Sequence, residues 1–195
     1  VDVRMRRNDW VKNKNQISNS YRQLLSGAKS SVIILCAYFL PTDSVRRLLR
    51  QMVARGVNVK VIIAGKSDVM LIKRAERWFY DWLLRTGIEL YEYKKNILHG
   101  KIATVDDEWT TIGSYNINDI SAYASIELNM DVHNAAFARH SREVLEEIMT
   151  RDCTRITTKK MKSSRNLFMR LMNWISYKTY RILFFLFTFY FKQRH

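Results

Sequence analysis

Residues 31–39 read SVIILCAYF and residues 57–64 read VNVKVIIA. Both are continuous apolar runs rich in β-branched side chains, the pattern of strands buried on both faces. Pro41 ends the first run. Asp43 or Ser44 can then cap a helix that runs to Arg55, with Leu48, Leu49 and Met52 on its inner side and Gly56 as its stop. Downstream, the spacing predicts a long helix over 68–85 carrying Trp78, Phe79 and Trp82, stopped near Gly87, and a third strand over 88–93. A further helix over 17–28 precedes the first strand. Strand and helix alternating in this way predict an α/β sandwich with a mixed, largely parallel central sheet.

After Lys95 the rhythm changes. Residues 98–105 and 109–112 are short strands joined by the acidic turn Asp106-Asp107-Glu108, which predicts a hairpin. A strand over 126–132 and a helix over 135–150 follow. The expected organisation is one domain over 1–152, a basic linker over 153–166, and an amphipathic aromatic and basic helical tail over 167–195. The chain starts at Val1 and not at Met, so it is expected to be part of a longer protein.

Hydrophobic residues are 47% and charged residues 26%, which excludes a disordered chain. The net charge of +15 is unevenly spread. Residues 151–195 hold 11 Lys and Arg against one acid, Asp152, whereas residues 1–150 hold 22 against 17. Such a balance suits anionic lipid or nucleic acid. The tail also carries the apolar run 182–191, and that favours lipid. This run of ten residues is too short to cross ~30 Å of hydrocarbon. Extending it back to Leu171 takes in Lys178 and Arg181. Aromatic residues mixed with basic ones instead predict a helix lying in the membrane interface, with Lys159, Lys160, Lys162 and Arg165 near anionic headgroups. Cys36 and Cys153 form neither a disulfide framework nor a zinc spacing. Cys36 is expected in the core, as are Trp78, Phe79 and Trp82. His133, His140 and His195 are expected at the surface.

Residues 99–106, HGKIATVD, place a histidine and a lysine two positions apart. On a strand such residues share a face. The nearby positive charge disfavours protonation of His99 and keeps its imidazole nucleophilic, and Lys101 supplies a fixed charge for a phosphate oxygen. The pair suits attack on a phosphodiester. Ser114 and Asn116, in the run GSYN at 113–116, offer neutral donors for phosphate oxygens. Glu127 is an acid that could reach the other ring nitrogen of His99 and fix its tautomer. Asp106 is as readily a turn residue as a chemical one.

Together these residues form H-x-K-x4-D-x6-G-S-x-N followed by an acid. The pattern resembles the signature of the phospholipase D superfamily. Residues 37–41, AYFLP, resemble a segment of bacterial cardiolipin synthases, and the likeness to the C-terminal catalytic half of those enzymes covers about residues 15–152. Ser125 stands where many relatives carry Asn. The resemblance implies two similar halves sharing one site, a phosphohistidine intermediate, and no metal or other cofactor. It makes His99 the nucleophile or the general acid/base, with Lys101, Ser114 and Asn116 on the phosphate, Glu127 orienting His99, and Asp106 supporting the turn. The implied reaction is phosphatidyl transfer from a phosphatidylglycerol-like anionic phospholipid, on the cytoplasmic side of a bacterial membrane. The implied partner is a second half bearing H-x-K, from an upstream segment of the same chain or from a homodimer. Hydrolysis by a phospholipase D or a nuclease of the same superfamily, or an inactive membrane-binding half, are the alternatives, with nucleic acid the less expected substrate.

Overall fold

The computed structural model describes residues 1–163 and 166–192. In chain order the first half contains β1 (Asp2–Asp9), β2 (Lys14–Asn15), α1 (Gln16–Gly27), β3 (Ser31–Cys36), α2 (Asp43–Ala54), β4 (Asn58–Ala64), α3 (Met70–Thr86) and β5 (Glu89–Tyr93). The second contains β6 (Lys101–Val105), β7 (Trp109–Gly113), α4 (Asp119–Tyr123), β8 (Ile126–His133), α5 (Ala135–Asp152), β9 (Cys153–Ile156), α6 (Thr158–Ser163) and α7 (Leu167–Lys192).

The strands join in one sheet of order β2-β1-β8-β7-β6-β3-β4-β5-β9. The two apolar runs lie side by side in its middle, parallel, with Ile34 against Val61. Their side chains alternate between the two faces. Val32, Ile34 and Cys36 join Leu49, Phe79 and Leu83 in the larger core under α1, α2 and α3. Ile33 and Leu35 meet Leu145 and Met149 of α5 on the other face. Phe79 is buried in that core and Trp78 and Trp82 pack against it, as expected. Thr42, not Asp43 or Ser44, caps α2, its hydroxyl accepting from the Val45 amide. Gly87 ends α3 in the left-handed conformation, at φ +92°.

An α/β domain with a mixed sheet and flanking helices is what the sequence predicts. The expectation that the sheet is largely parallel needs correction. Only β3–β4 and β4–β5 are parallel, and the other six pairings are antiparallel. Hairpins and short returns reverse the chain where no crossover helix intervenes. Strands β1 and β9 add two further antiparallel pairings, to β8 and β5. The second of these also corrects the linker assigned to 153–166, because residues 153–156 pair with β5.

Strand β1 is hidden from a hydrophobic reading because its pattern is inverted. Arg6 and Asn8 point inward with Glu127, Asn129 and Asp131 of β8, forming a buried polar seam beneath α1. Arg6 donates to Asp131 at 3.1 Å. Asn8 accepts from the Ile17 amide at 2.9 Å and so ties the first turn of α1. The opposite face carries Met5, Ile112, Ile126, Leu128 and Met130, all exposed.

Helix α7 lies along α3. Tyr177 meets Phe79 edge-on, 5.1 Å between ring centroids, and Tyr180 is buried. Its other side leaves Leu171, Ile182, Phe185, Leu186 and Phe189 exposed. Among the described residues no helix is long and apolar enough to cross a membrane. His133 and His140 are exposed, as expected. The Arg165 and His195 positions and the side chains of Lys160 and Lys162 lie outside the described residues.

Candidate active site

The strand β6 carries an inner seam of Val105, Ala103 and Lys101, two apolar residues and then a lysine at the rim. Lys101 is paired with Cys36, the last residue of β3, so the seam ends where the parallel strands end. That edge is where α/β sheets place their ligands. The Lys101 ammonium is buried and donates to the carbonyl of His99 at 2.7 Å, fixing the backbone that carries the imidazole. Burial pulls the lysine below its ordinary value, while nearby Cys36 and Glu127 work in the opposite sense. His99 itself lies just before β6 and is exposed.

The segment after β7 returns to the same edge. Gly113 is obligatory there: a Cβ would lie 2.2 Å from the Leu128 carbonyl and 2.4 Å from Asn129 Oδ1. This close approach lets the Leu128 amide donate to Ser114 Oγ at 3.0 Å, and lets Ser114 donate to the Glu127 carboxylate. Glu127 is also bonded by Ser121 Oγ at 2.7 Å and Ser125 Oγ at 2.9 Å. Its hydrogen bonds therefore go to three serines and not to His99. Asn116 Oδ1 accepts from the Tyr38 amide at 3.1 Å, which leaves its Nδ2 to donate. The loop after β3 and the loop after β7 are thereby zipped together, reinforced by Leu40 donating to Ile117 at 2.9 Å and by Ile117 donating to Cys36 Sγ at 3.3 Å. Burial pushes the Cys36 thiol up to about 12.

The structure thus brings His99, Lys101, Ser114, Asn116 and Glu127 to one edge and separates Asp106 from them. Asp106 sits at the far end of β6, roughly 20 Å along an extended chain from His99. Its carboxylate accepts from the amides of Lys29, Ser30 and Ser31 at 2.7–2.9 Å, and from Ser30 Oγ at 2.9 Å. Burial alone would raise its pKa, but these donors hold it below the usual carboxylate value. These bonds make Asp106 a tie between the β6–β7 turn and the start of β3.

Four further contributors escape sequence reasoning. Ser121 and Ser125 clasp Glu127, and Asn129 accepts from the Tyr115 amide at 3.2 Å. Glu76, buried on α3, accepts from the Phe39 amide at 2.7 Å and fixes the loop that meets Asn116. Burial pushes Glu76 up to about 7, against the pull of Lys73 at 3.2 Å. In sequence, Lys73 and Glu76 look like an ordinary solvated helical pair. Tyr38 donates to Asp68 at 2.6 Å beside the same loop.

A family model described as cardiolipin synthase, PLD-like domain, matches residues 21–149. The chain belongs to that family. As a phospholipase D-like domain of the cardiolipin synthase family, it is 35% identical over 148 residues to cardiolipin synthase B of Salmonella typhi, covering 76% of this chain and 36% of that protein. It is 34% identical over 148 residues to cardiolipin synthase B of Escherichia coli, again covering 36% of the relative. The chain therefore spans about a third of the length of these relatives. Among solved structures, the phospholipase D family member Nuc from Salmonella typhimurium superposes with a TM-score of 0.67 at 18% identity, covering 80% of this chain and 99% of that one. The phosphatidylserine synthase of Haemophilus influenzae superposes with a TM-score of 0.70 at 14% identity, covering 92% of this chain and 45% of that one. At these identities the structural likeness is one of fold.

Proposed function

We propose that this chain is one half of a phosphatidyltransferase that forms cardiolipin from phosphatidylglycerol. The observation that carries the proposal is the convergence of His99, Lys101 and Asn116 on one strand edge in a cardiolipin synthase-family domain. One histidine of the assembled site attacks phosphorus. A P–N bond forms as the P–O bond to glycerol breaks, and the second histidine protonates the departing alkoxide. The hydroxyl of a second phosphatidylglycerol then gives up its proton to that histidine and attacks the phosphohistidine, releasing the first. Lys101 and the Asn116 amide serve the phosphate oxygens. Ser114 shares that task when phosphate displaces its bond to Glu127, and the freed carboxylate then orients His99.

The second histidine comes from a second H-x-K-bearing half. The uncovered apolar strip of Met5, Ile112, Ile126, Leu128 and Met130 supports this, because it begins beside Ser114 and is the surface such a half would bury. The exposed apolar side of α7, flanked by Arg170, Lys178 and Arg181, supports a peripheral seat on the cytoplasmic membrane surface.

The test is lipid analysis after incubating the protein, complete with its second half, with phosphatidylglycerol vesicles in EDTA. Cardiolipin and glycerol are expected from the wild type, and loss of at least ~10³-fold from His99→Ala. Phosphatidic acid alone makes the enzyme a hydrolase. No lipid product from a folded protein rejects the lipid substrate and directs attention to nucleic acid.

A further inference from the structure

A cavity of about 420 Å³ lies between α3 and α7, and none of the six motif residues lines it. Trp78, Phe79 and Trp82 of α3, with Met161 and Met169, form its apolar wall. Arg46 of α2, Arg77 and Arg85 of α3 and Arg170 of α7 stand around it. The two acids in the lining are already engaged: Asp81 pairs with Arg85 at 2.7 Å, and Glu92 accepts from Tyr80 at 2.6 Å. Arg77 and Arg170 have no ion pair among the described residues. The Arg46 guanidinium lies over Phe79 and Trp82, 5.5 and 5.9 Å from the ring centroids, which fixes its plane. Its Nη2 pairs with Asp43, but its Nε is buried and has no hydrogen-bond partner among the described residues, and the same holds for Asn173 Oδ1 in the opposite wall. An unpaired buried donor on a charged group is costly, so a ligand acceptor there is favoured. Beyond Trp82 the positive surface continues through Arg47 and Arg50.

We propose that this cavity is a second, non-catalytic site that holds one anionic phospholipid. The phosphate meets Arg46, Arg77 and Arg170, and the upper part of an acyl chain lies against Trp78, Trp82 and Met169. A small soluble anion would use the arginines and leave the aromatic wall idle; a zwitterionic phospholipid brings the same phosphate but sets its ammonium among the arginines, which repel it. The volume admits part of a lipid only. The rest of the chains lies outside the cavity. A lipid so placed pins α7 to α3 and orients the domain on the bilayer. From the proposed function the site takes only the class of lipid, and it does not involve His99.

The His99→Ala protein, which leaves the probe intact, is incubated with vesicles containing a photoreactive acyl chain on either phosphatidylglycerol or phosphatidylcholine, and adducts are mapped by peptide mass spectrometry. Phosphatidylglycerol is expected to label the peptides bearing Trp78–Trp82 and Met169, and Arg77→Gln/Arg170→Gln to lower that labelling at least about tenfold. Met169→Trp, which fills the cavity from a part-exposed position, is expected to lower it as well without touching a charge. Equal labelling by phosphatidylcholine, or labelling unchanged in both variants, overturns the proposal. Cavity labelling in a protein whose wild type shows no turnover would sink the transferase and leave the second site standing. Turnover without cavity labelling would do the opposite.

Discussion

Asp106 shows how a motif letter and a chemical role can part company. The residue has φ +53°, as does Asp107, and its two oxygens collect three amides and a hydroxyl. Asparagine tolerates the same backbone but replaces one acceptor oxygen with a donor that faces an amide. Asp106→Asn is therefore expected to destabilise the fold by about 2 kcal/mol at neutral pH. The folded-state pKa is depressed, so the stabilisation is present above the ordinary value of 3.8 and lost as pH falls through the folded value. Urea denaturation should show the gap between wild type and variant closing in acid. A gap that stays constant with pH would mean the carboxylate charge is not what matters. The spacing of His99 and Lys101 singles the pair out in sequence, although β6 begins only at Lys101 and His99 precedes it. The clasp of Ser121 and Ser125 on Glu127 was not, because serines carry no periodic signal and their partner is fixed only once α4 folds between β7 and β8.

Elements position these residues through close backbone approach. Gly113 lets β7 pass against Leu128 and Asn129, and its replacement by alanine would push both away from Ser114. Gly113→Ala is expected to cost about 2 kcal/mol in urea denaturation by overpacking, and to lower turnover further than that loss explains. Full activity at unchanged stability would show that β8 gives way without cost. Helix α7 has one docked side and one free side. Substituting Phe185 and Leu186 with serine leaves the docked Tyr177 and Tyr180 in place. Flotation with anionic vesicles is expected to fall at least about tenfold, given roughly 2 kcal/mol for each large apolar side chain buried, with an unchanged melting temperature. Equal flotation would reject an interfacial seat for this face. A helix was expected over the tail, and the described residues carry one from Leu167 to Lys192. That it lies on α3 was not, because an amphipathic pattern shows that an apolar face exists and not what covers it.

Across the whole molecule, the sequence marked the strands buried on both sides and also β7 and β8 of the other wing, but neither β1 nor which face of that wing is covered. The runs over 31–39 and 57–64 gave β3 and β4 because both of their faces meet helices. In β8 Glu127, Asn129 and Asp131 turn inward while Ile126, Leu128 and Met130 turn outward, so the usual polarity rule points the wrong way there. An outward apolar wing is stable only when something covers it. Met5→Asp/Met130→Asp should thus leave this half folded, as read by circular dichroism, while weakening assembly with the second half in sedimentation and abolishing turnover. Assembly unaffected by two buried charges would place the second half elsewhere.

The inverted wing also sets a schedule. Arg6 reaches Asp131 across 125 positions of chain. At ribosomal rates of about 5–20 residues per second, β1 waits roughly 6–25 s for its partner strand to be made. An unpaired strand is a template for the wrong neighbour throughout that interval. Strand β1 carries Arg4, Arg6 and Arg7 among its eight residues. With Asp2 and Asp9, five of its eight residues are charged, and the same charges that hide it from a hydrophobic scan make it a poor template for other copies of itself until β8 arrives.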